Sequence, residues 1–473
     1  MKLSHLLEPL GIKVQEDIEI EHIADDSRKV KPNTLFFAIK GVCVNGHKFI
    51  EEARKKGAVA FIVEEDGWKG AIRVEDGRKT LSLVAQRFFG EPSSALKIIG
   101  ITGTDGKTTT AFLIENIFEK AGIPISRLST IGHRIGGQEI PATQTTPSSI
   151  ELQSLLKEAR DGGCEACVME VSSHSLSQDR VYGMKFWAGC FTNLSSEHLD
   201  YHKTREGYLE AKRELFLSLS SDSYTFVNAD DPSSDRMIEG TKAQVIRFGI
   251  REGELRPEEI EETETGIAFS IYGERIKSRL FGIYNLYNML GAIAASHYYG
   301  IPIKTIKEAI EDFSPPSGRF EIISSSPKVI IDYAHTPNAL SSVLRACWQL
   351  KPKRVILLFG CGGDRDREKR PEMGRIAEEL ASVVILTSDN PRREDPEQIL
   401  DEIEKGMKKE HLRISERCEA IEKAISLAGA DDLVLIAGKG HERYQIIGDK
   451  KIEFSDQEEA IRRIADRGSR IEK

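Results

Sequence analysis

Seven residues, GTDGKTT (Gly103–Thr109), carry the clearest chemistry in the chain. They lie between an apolar run, KIIGITG, and a segment with apolar residues at helical spacing, where a phosphate cradle belongs. Glycines let backbone N–H groups turn toward phosphate oxygens, the helix start adds positive potential, and Lys107 adds a full charge. Thr108 is placed to offer its hydroxyl to Mg²⁺. The spacing departs from the common G-x-x-x-x-G-K-[ST] pattern, because five residues rather than four separate Gly100 from Gly106. Lys-Thr after a glycine at a strand–helix junction still favours nucleotide binding over a plain turn.

Two further stretches hold ionisable groups near that loop. ACVMEV (Ala166–Val171) reads as a buried strand ending at Glu170. A carboxylate there serves as a metal ligand or caps the next helix, and both readings stand. TNLSSEHLDYH (Thr192–His202) follows the strand-like run FWAGCF and gathers two His and two acids, as a metal or phosphate site or as a solvated helix start.

Late in the chain, GCGGDRDR, DNPRREDP and GKGHERY each follow a strand-like run. In DNPR, the Asp, Asn and Arg side chains suit a charged amino acid. Taken alone, a strand-to-helix turn is the favoured account, with the strand at Val383 to Leu386, Asp395 as N-cap, Pro396 in the first turn and Gln398 at the capping-box position. All three loops are rich in glycine or ionisable groups, and ligands of parallel sheets collect at strand carboxyl ends.

The elements that position these loops follow from periodicity. The first ninety or so residues mix short strands and helices, as in TLFFAIKG and LSLVAQRFFG. Alternation resumes at Lys97, where Ile114, Ile117, Phe118 and Ala121 fall on one helical face. SPPSGR (Ser314–Arg319) is a Pro/Gly/Ser-rich break. Beyond it, strands RVILLFG, SVVILTS and LVLIAGKG alternate with helices around PEMGRIAEELA, PEQILDEIEKGMKK and EAIEKAISLAG, which is βαβ patterning and hence a mostly parallel sheet. The fold class is α/β.

Bulk composition sets limits. A chain of 473 residues exceeds one ordinary core and predicts about two to four domains. Apolar residues at 40% and charged residues at 30% describe a globular chain. The start resembles neither a signal peptide nor a membrane span, and no stretch approaches about 18 uninterrupted apolar residues, so a cytoplasmic location is expected. Seven scattered cysteines argue against a disulfide framework, and Cys164 and Cys167 form a lone C-x-x-C best read as structural. A net charge of −9 disfavours a nucleic-acid binder.

GTDGKTTT, MEVSSHSL, TNLSSEHLDYH, EAKRELF, YNLYNMLGAIAA, SGRFE, DYAHTP, CGGDRDREKRPEMG, DNPR and GKGHE occur in one order across nearly the whole chain. In that order the sequence resembles the Mur ligases, most closely their MurE type. The resemblance implies three domains: a UDP-binding domain (1–94), a central P-loop-like ATPase domain with a mostly parallel sheet (95–317) and a Rossmann-like domain (318–473). It implies an ATP-dependent, ADP-forming amide ligase of peptidoglycan synthesis that adds meso-diaminopimelate to UDP-MurNAc-L-Ala-D-Glu through an acyl phosphate.

Carried over residue by residue, the resemblance implies an ATP site of Gly103, Thr104, Asp105, Gly106, Lys107, Thr108 and Thr109. Asn288 and Arg319 would lie around adenine and phosphates, with Asp332 and His335 reaching in from the third domain. Lys107 would meet the β- and γ-phosphates, Thr108 and Glu170 would hold one Mg²⁺, and His198 would serve a second. Lys212 matches the lysine that the family carbamylates, and its carbamate would ligate metal where an ammonium would repel it. Lys107, Glu170, His198 and Lys212 are thus the implied catalytic residues. The UDP-MurNAc-dipeptide would meet Ser27, Val42, Cys43, Val44, Thr145, Thr146, Ser172, Gln178 and Arg180. Diaminopimelate would meet Arg365, Asp389, Asn390, Pro391, Arg392, Gly438 and Glu442, with Arg392 taking the carboxylate that L-lysine lacks. Asp105, Glu197, Gly291 and Asn45 depart from the residues commoner in relatives. A monomer without nucleic-acid partners is expected. The rivals are the same ligase adding L-lysine, folylpolyglutamate synthase, a P-loop switch and a non-catalytic nucleotide-binding scaffold.

Overall fold

The computed structural model describes residues 1–471 apart from Gln15, Val42, Cys43 and Ser196. The substrate contacts expected at Val42 and Cys43 therefore lie outside the described residues. No helix among the described residues is long and apolar enough to cross a membrane.

The first ninety residues build a four-stranded parallel sheet in the order β1 (His22–Ala24), β2 (Thr34–Ala38), β3 (Ala58–Val63) and β4 (Ile72–Arg73). One face is covered by the helix Gly77–Phe88, which starts where Asp76 accepts hydrogen bonds from the backbone of Arg78 and Lys79. Leu81, Val84 and Ala85 pack there against Leu35, Phe37 and Ile62.

The central sheet contains β5 (Lys97–Thr102), β6 (Ile125–Leu128), β7 (His133–Ile135), β8 (Gln138–Ile140), β9 (Ala166–Glu170), β10 (Ala188–Phe191), β11 (Tyr224–Asn228) and β12 (Gln244–Phe248). Their order is β12-β11-β10-β5-β9-β6-β7-β8, parallel except at β7 and β8. The phosphate loop therefore emerges mid-sheet, between the loops that follow β9 and β10. The interior strands β5, β9 and β10 are buried on both faces because helices cover both. Lys107–Lys120 and Ile283–Tyr299 lie on one side with Ile101, Ile114, Ile117, Phe118 and Met289 in the core. Ser149–Asp161 and Arg205–Leu217 lie on the other, with Met169, Phe191 and Phe216 in the core there. The predicted helical face holds at Ile114, Ile117 and Phe118, whereas Ala121 falls one residue past the helix end and is half-buried. Cys167 is buried in β9, and burial pushes its thiol up to about 12, as suits a structural cysteine.

A three-stranded antiparallel sheet, β13 (Glu258–Thr263), β14 (Gly266–Ile271) and β15 (Glu274–Ser278), interrupts the α/β alternation, a feature the sequence reading did not separate.

After the coil at Ser314–Arg319, the last sheet comprises β16 (Glu321–Ser325), β17 (Lys328–Asp332), β18 (Val355–Phe359), β19 (Val383–Leu386), β20 (Leu412–Arg413) and β21 (Leu433–Ala437). Its order is β16-β17-β21-β18-β19-β20, with only β16 antiparallel. The three expected strands are β18, β19 and β21, three of the four interior ones, and the sheet adds β16, β17 and β20 around them. The helix expected over PEQILDEIEKGMKK stops at Glu404. A Cβ at Gly406 would lie 1.8 Å from the Pro371 carbonyl oxygen, so close packing takes the chain out of the helix there. The hairpin β22 (Tyr444–Ile447) and β23 (Lys450–Glu453) and the helix Asp456–Ile471 complete the chain.

Candidate functional site

The phosphate loop is shaped by two glycines. Gly103 (φ +149°) and Gly106 (φ +87°) hold conformations that L side chains rarely adopt. A Cβ would lie 1.9 Å from Thr192 Oγ1 at the first and 2.2 Å from Asn288 Oδ1 at the second. Asn193 fixes the loop from the side, its Oδ1 accepting from Asp105 N (3.0 Å) and its carbonyl from Thr104 N (2.9 Å). The helix Lys107–Lys120 starts without a side-chain cap, which leaves its first N–H groups for an anion. Lys107 Nζ donates to the Gly103 and Thr104 carbonyls at 2.9 and 2.8 Å, lying over the loop it would serve.

Glu170 at the end of β9 accepts from Thr108 Oγ1 (2.9 Å), Thr130 N (2.9 Å) and Thr130 Oγ1 (3.1 Å). It caps no helix, because Ser172 caps Ser173–Ser177. Lys212 is 1% exposed and donates to the same Gly103 carbonyl as Lys107, at 2.8 Å. Burial, then the Lys107 charge, holds its ammonium pKa well below the lysine range. His198 has φ +57° and stands 3.5 Å from Glu197. Burial pulls His174, His198 and His202 down to about 4, so these neighbouring rings are neutral near pH 7. Among the described residues no three His, Cys, Asp or Glu side chains form a ready metal cluster. The contact between the Thr108 hydroxyl and the Glu170 carboxylate is instead a pair of hard oxygen donors beside a phosphate cradle, a set that fits Mg²⁺.

A cavity of about 330 Å³ adjoins the loop, lined by Asp105, Gly106 and Thr109, by Asn288 from the central unit, by Arg319 at the end of the coil, and by Asp332 and His335 from beyond it. Asn288 Nδ2 is held by Asn285 (2.9 Å), and Arg319 Nη2 donates to Thr108 Oγ1 (3.2 Å) with its guanidinium over the Tyr333 ring. Asp332 accepts from the backbone of Phe320 and Ala334, both 2.7 Å away. His335 Nε2 lies 2.8 Å from Glu197 Oε1, tying the last sheet to the loop after β10. Burial opposes the charge on Glu197, yet His198 and His335 hold its carboxyl well below the usual range. The sequence reading counted Glu197 among the acids of TNLSSEHLDYH and among the departures from relatives, but missed this bridge. Asp105 is among the cavity-lining residues, and burial and then Glu197 raise its pKa.

Thr145, Thr146, Ser172, Gln178 and Arg180 come together beside Glu170. Thr146 Oγ1 donates to the Glu170 carbonyl (2.9 Å) and accepts from Ser172 N (3.0 Å), and Thr145 Oγ1 accepts from Thr130 (3.1 Å). Arg180 donates to Gln178 Oε1 (2.7 Å) and the Thr146 carbonyl (2.8 Å). Ser27 is buried in the first unit and Val44 is exposed there, while the Arg180 charge reaches Asp25, two residues before Ser27.

At the last sheet, Arg392 is half-buried at φ +52° and donates from Nη1 to the Gly363 carbonyl at 2.8 Å. Among the described residues, its Nε and Nη2 donate to no protein atom. Burial and then the nearby Arg365 guanidinium lower its pKa, and both side chains lie beside Gly362. Arg365 is exposed. Asn390 gives its amide to Glu442 (2.8 Å) and takes hydrogen bonds from Ile446 N (2.9 Å) and Lys439 Nζ (3.1 Å), so it orients the loop. The Asp389 carboxylate accepts from Asn390 N, and a Cβ at Gly438 (φ +113°) would lie 2.6 Å from it. Pro391 is buried, and its carbonyl accepts from Glu394 N (3.1 Å). Sequence reasoning missed two supports here. Lys439, fully buried, holds Glu442 at 3.0 Å. The β22–β23 hairpin runs along DNPR, with Arg392 N donating to the Ile446 carbonyl (3.0 Å) and Gly448 N to the Arg392 carbonyl (2.7 Å). Its Gly-Asp turn between alternating runs was the available signal.

Comparison with known proteins covers all three units. Three family patterns match: the Mur ligase family catalytic domain at residues 19–88, the Mur ligase middle domain at 101–296, and the Mur ligase glutamate ligase domain at 318–440. The chain is 42% identical over 484 residues to UDP-N-acetylmuramoyl-L-alanyl-D-glutamate–2,6-diaminopimelate ligase of Clostridium tetani, covering 98% of this chain and 99% of that protein. It is 43% identical to the protein of the same name from Geobacillus thermodenitrificans, covering 97% and 98%. A solved structure with that ligase name superposes with a TM-score of 0.70 at 30% identity, covering 99% of this chain and all of that one. The MurF ligase of Thermotoga maritima in complex with ADP shares the fold, with a TM-score of 0.65 at 18% identity, covering 94% and 97%.

Proposed function

We propose that this chain, which belongs to the Mur ligase family, is the ATP-dependent ligase that joins meso-diaminopimelate to the D-Glu side-chain carboxylate of UDP-MurNAc-L-Ala-D-Glu in peptidoglycan synthesis. The observation that carries the choice of amino acid is the paired guanidinium site of Arg365 and Arg392, with the Nε–Nη2 edge of Arg392 open to a carboxylate. The relatives whose names specify 2,6-diaminopimelate match along nearly the whole chain.

The chemistry follows from the carboxylate, whose leaving group would be oxide. Transfer of the γ-phosphoryl group of ATP gives an acyl phosphate and ADP. The neutral amine of the incoming amino acid attacks the acyl carbon, and the tetrahedral adduct releases the nitrogen's proton and expels phosphate to leave the amide. Protein groups supply alignment and charge neutralisation. Lys107 and the Gly103–Thr109 backbone hold the phosphates, and Asn288, Arg319, Asp332 and His335 enclose the nucleotide. Because these four come from both sides of the coil, nucleotide binding draws the units together. Thr108 and Glu170 would hold Mg²⁺, whose charge offsets that of the phosphates; His198 and Lys212 as its carbamate would serve a second ion. Carbamate formation needs a neutral amine to add CO₂ and release a proton, and the buried, charge-disfavouring site of Lys212 supplies one. Arg180, with Gln178, Thr146 and Ser172, would take the anionic dipeptide end, and Ser27 the nucleotide-sugar end. All these sites lie on one chain, which suits a monomer, and the substrates assign the reaction to the cytoplasm.

The test is ATP turnover with Mg²⁺, the UDP-muramoyl dipeptide and each of meso-diaminopimelate, L-lysine and L-ornithine. Phosphate release should require both acceptor and amino acid, with diaminopimelate preferred. Preference for lysine would overturn the specificity, and substrate-independent hydrolysis would overturn the ligase reading.

A further inference from the structure

Two buried charges that the mechanism does not use lie beneath the amino-acid loops. Arg417 opens the helix Arg417–Leu427 and is 1% exposed, and Asp456 opens the C-terminal helix and is fully buried. The pair is bidentate, with Arg417 Nε and Nη2 donating to Asp456 Oδ1 and Oδ2 at 2.7 Å each. The guanidinium has two further acceptors. Nη1 donates to the Ser388 carbonyl at 3.2 Å, and Nη2 to the Ala437 carbonyl at 3.0 Å. Ser388 immediately precedes Asp389 of DNPR, and Ala437 immediately precedes Gly438 of GKGHE.

These carbonyls sit at the ends of β19 and β21, which are not neighbours, because β18 runs between them. No ladder hydrogen bond joins β19 to β21 directly, and their relative height is set only through β18. The pocket nonetheless depends on that height, since Asn390 must meet Glu442 at 2.8 Å and Lys439 at 3.1 Å across the gap. A planar guanidinium with donors in a rigid fork spans the two ends in a way that a lysine cannot. Asp456 supplies the countercharge that makes burial of the guanidinium tolerable.

We propose that Arg417, held by Asp456, is a positioning residue for the amino-acid pocket that fixes DNPR against GKGHE, which makes the C-terminal helix part of substrate selection. The inference rests on the proposed function, since it takes this pocket to be the diaminopimelate site. It extends that site by two residues that touch no substrate.

The experiment measures KM separately for diaminopimelate, ATP and the UDP-muramoyl dipeptide, in the full-length chain and below each variant's melting transition. Three variants are used: Asp456→Asn, Arg417→Lys, and the double variant Arg417→Met/Asp456→Leu, which removes both charges together and leaves neither unpaired. The expected result is a rise of about tenfold or more in KM for diaminopimelate, with the other two KM values within about twofold of wild type. Equal rises in all three KM values, or variants that melt earlier with every KM unchanged, would overturn the proposal. So would loss of folding in all three variants, which assigns the pair to stability alone. Wild-type protein that fails to use diaminopimelate overturns the proposed function itself, a result separable from unmoved KM values in the variants.

Discussion

Replacing Arg392 with methionine keeps the apolar stem of the side chain and removes its charge and its fork. Two costs follow, and the structure separates them. The Gly363 carbonyl loses the donor 2.8 Å away, which weakens the loop for any amino-acid substrate by about 1 kcal/mol. The open Nε–Nη2 edge loses two charge-assisted hydrogen bonds to a carboxylate, at about 1.5 kcal/mol each and so about 3 kcal/mol together. The second cost falls only on diaminopimelate, because L-lysine has no carboxylate at that end. The ratio of kcat/KM for the two amino acids therefore isolates it, and should fall by about 150-fold. Lysine use itself should fall no more than about fivefold. The assay is phosphate release at saturating ATP and UDP-muramoyl dipeptide, with the amino acid varied below KM. If both substrates lose the same factor, Arg392 shapes the turn and does not read the carboxylate, and the proposed basis of selection is wrong.

Lys212→Ala should abolish turnover at ambient CO₂, and added short carboxylic acids should restore part of it; no restoration would refute a carbamate at this buried site. Gly106→Ala forces a Cβ to within 2.2 Å of Asn288 Oδ1 at a positive φ, with roughly 1–3 kcal/mol of backbone strain, so KM for ATP should rise at least tenfold while KM for diaminopimelate holds. An unchanged ATP KM would refute the assigned loop geometry. His441 is pulled down to about 3 by burial, then by Arg319 and Lys439. The unfolded chain binds its proton below about pH 6.5 while the folded chain does not, so stability falls as pH drops through that window. His441→Asn should therefore lose less melting temperature than wild type between pH 7 and pH 4.5, and identical pH slopes would refute the burial of a neutral ring.

Strand ends were the most legible part of the sequence, because an apolar run followed by glycine or charge marks both a buried strand and the loop at its mouth. That is why β5, β9, β18, β19 and β21 were read with their loops attached. Lys212 was less legible than it should have been. Tyr208, Leu209, Leu215 and Phe216 are its buried helical neighbours at spacings of three and four, so a lysine on that stripe is marked for burial. Glu197 and Arg417 could not be read this way. Each looks like a solvated helix-start residue, and each gains its partner from an element far along the chain, His335 in one case and Asp456 in the other. Asn45 shows the same limit on a local scale: its amide donates to Glu65 (3.0 Å), which the commoner Asp could not do.

The coil at Ser314–Arg319 divides the chain, but it does not divide the chemistry. Arg319 at its end and Asp332 and His335 past it line the cavity beside the Gly103–Thr109 loop, and a Cβ at Gly318 would fall 2.1 Å from the His441 backbone nitrogen. An engineer who exchanged the last sheet for that of a lysine-adding relative would transplant half of the ATP enclosure together with the amino-acid pocket. Such a chimera must match its donor at Glu197 and Thr108 before its new pocket is tested at all. Retargeting this scaffold is better done loop by loop, within DNPR and GKGHE, than module by module.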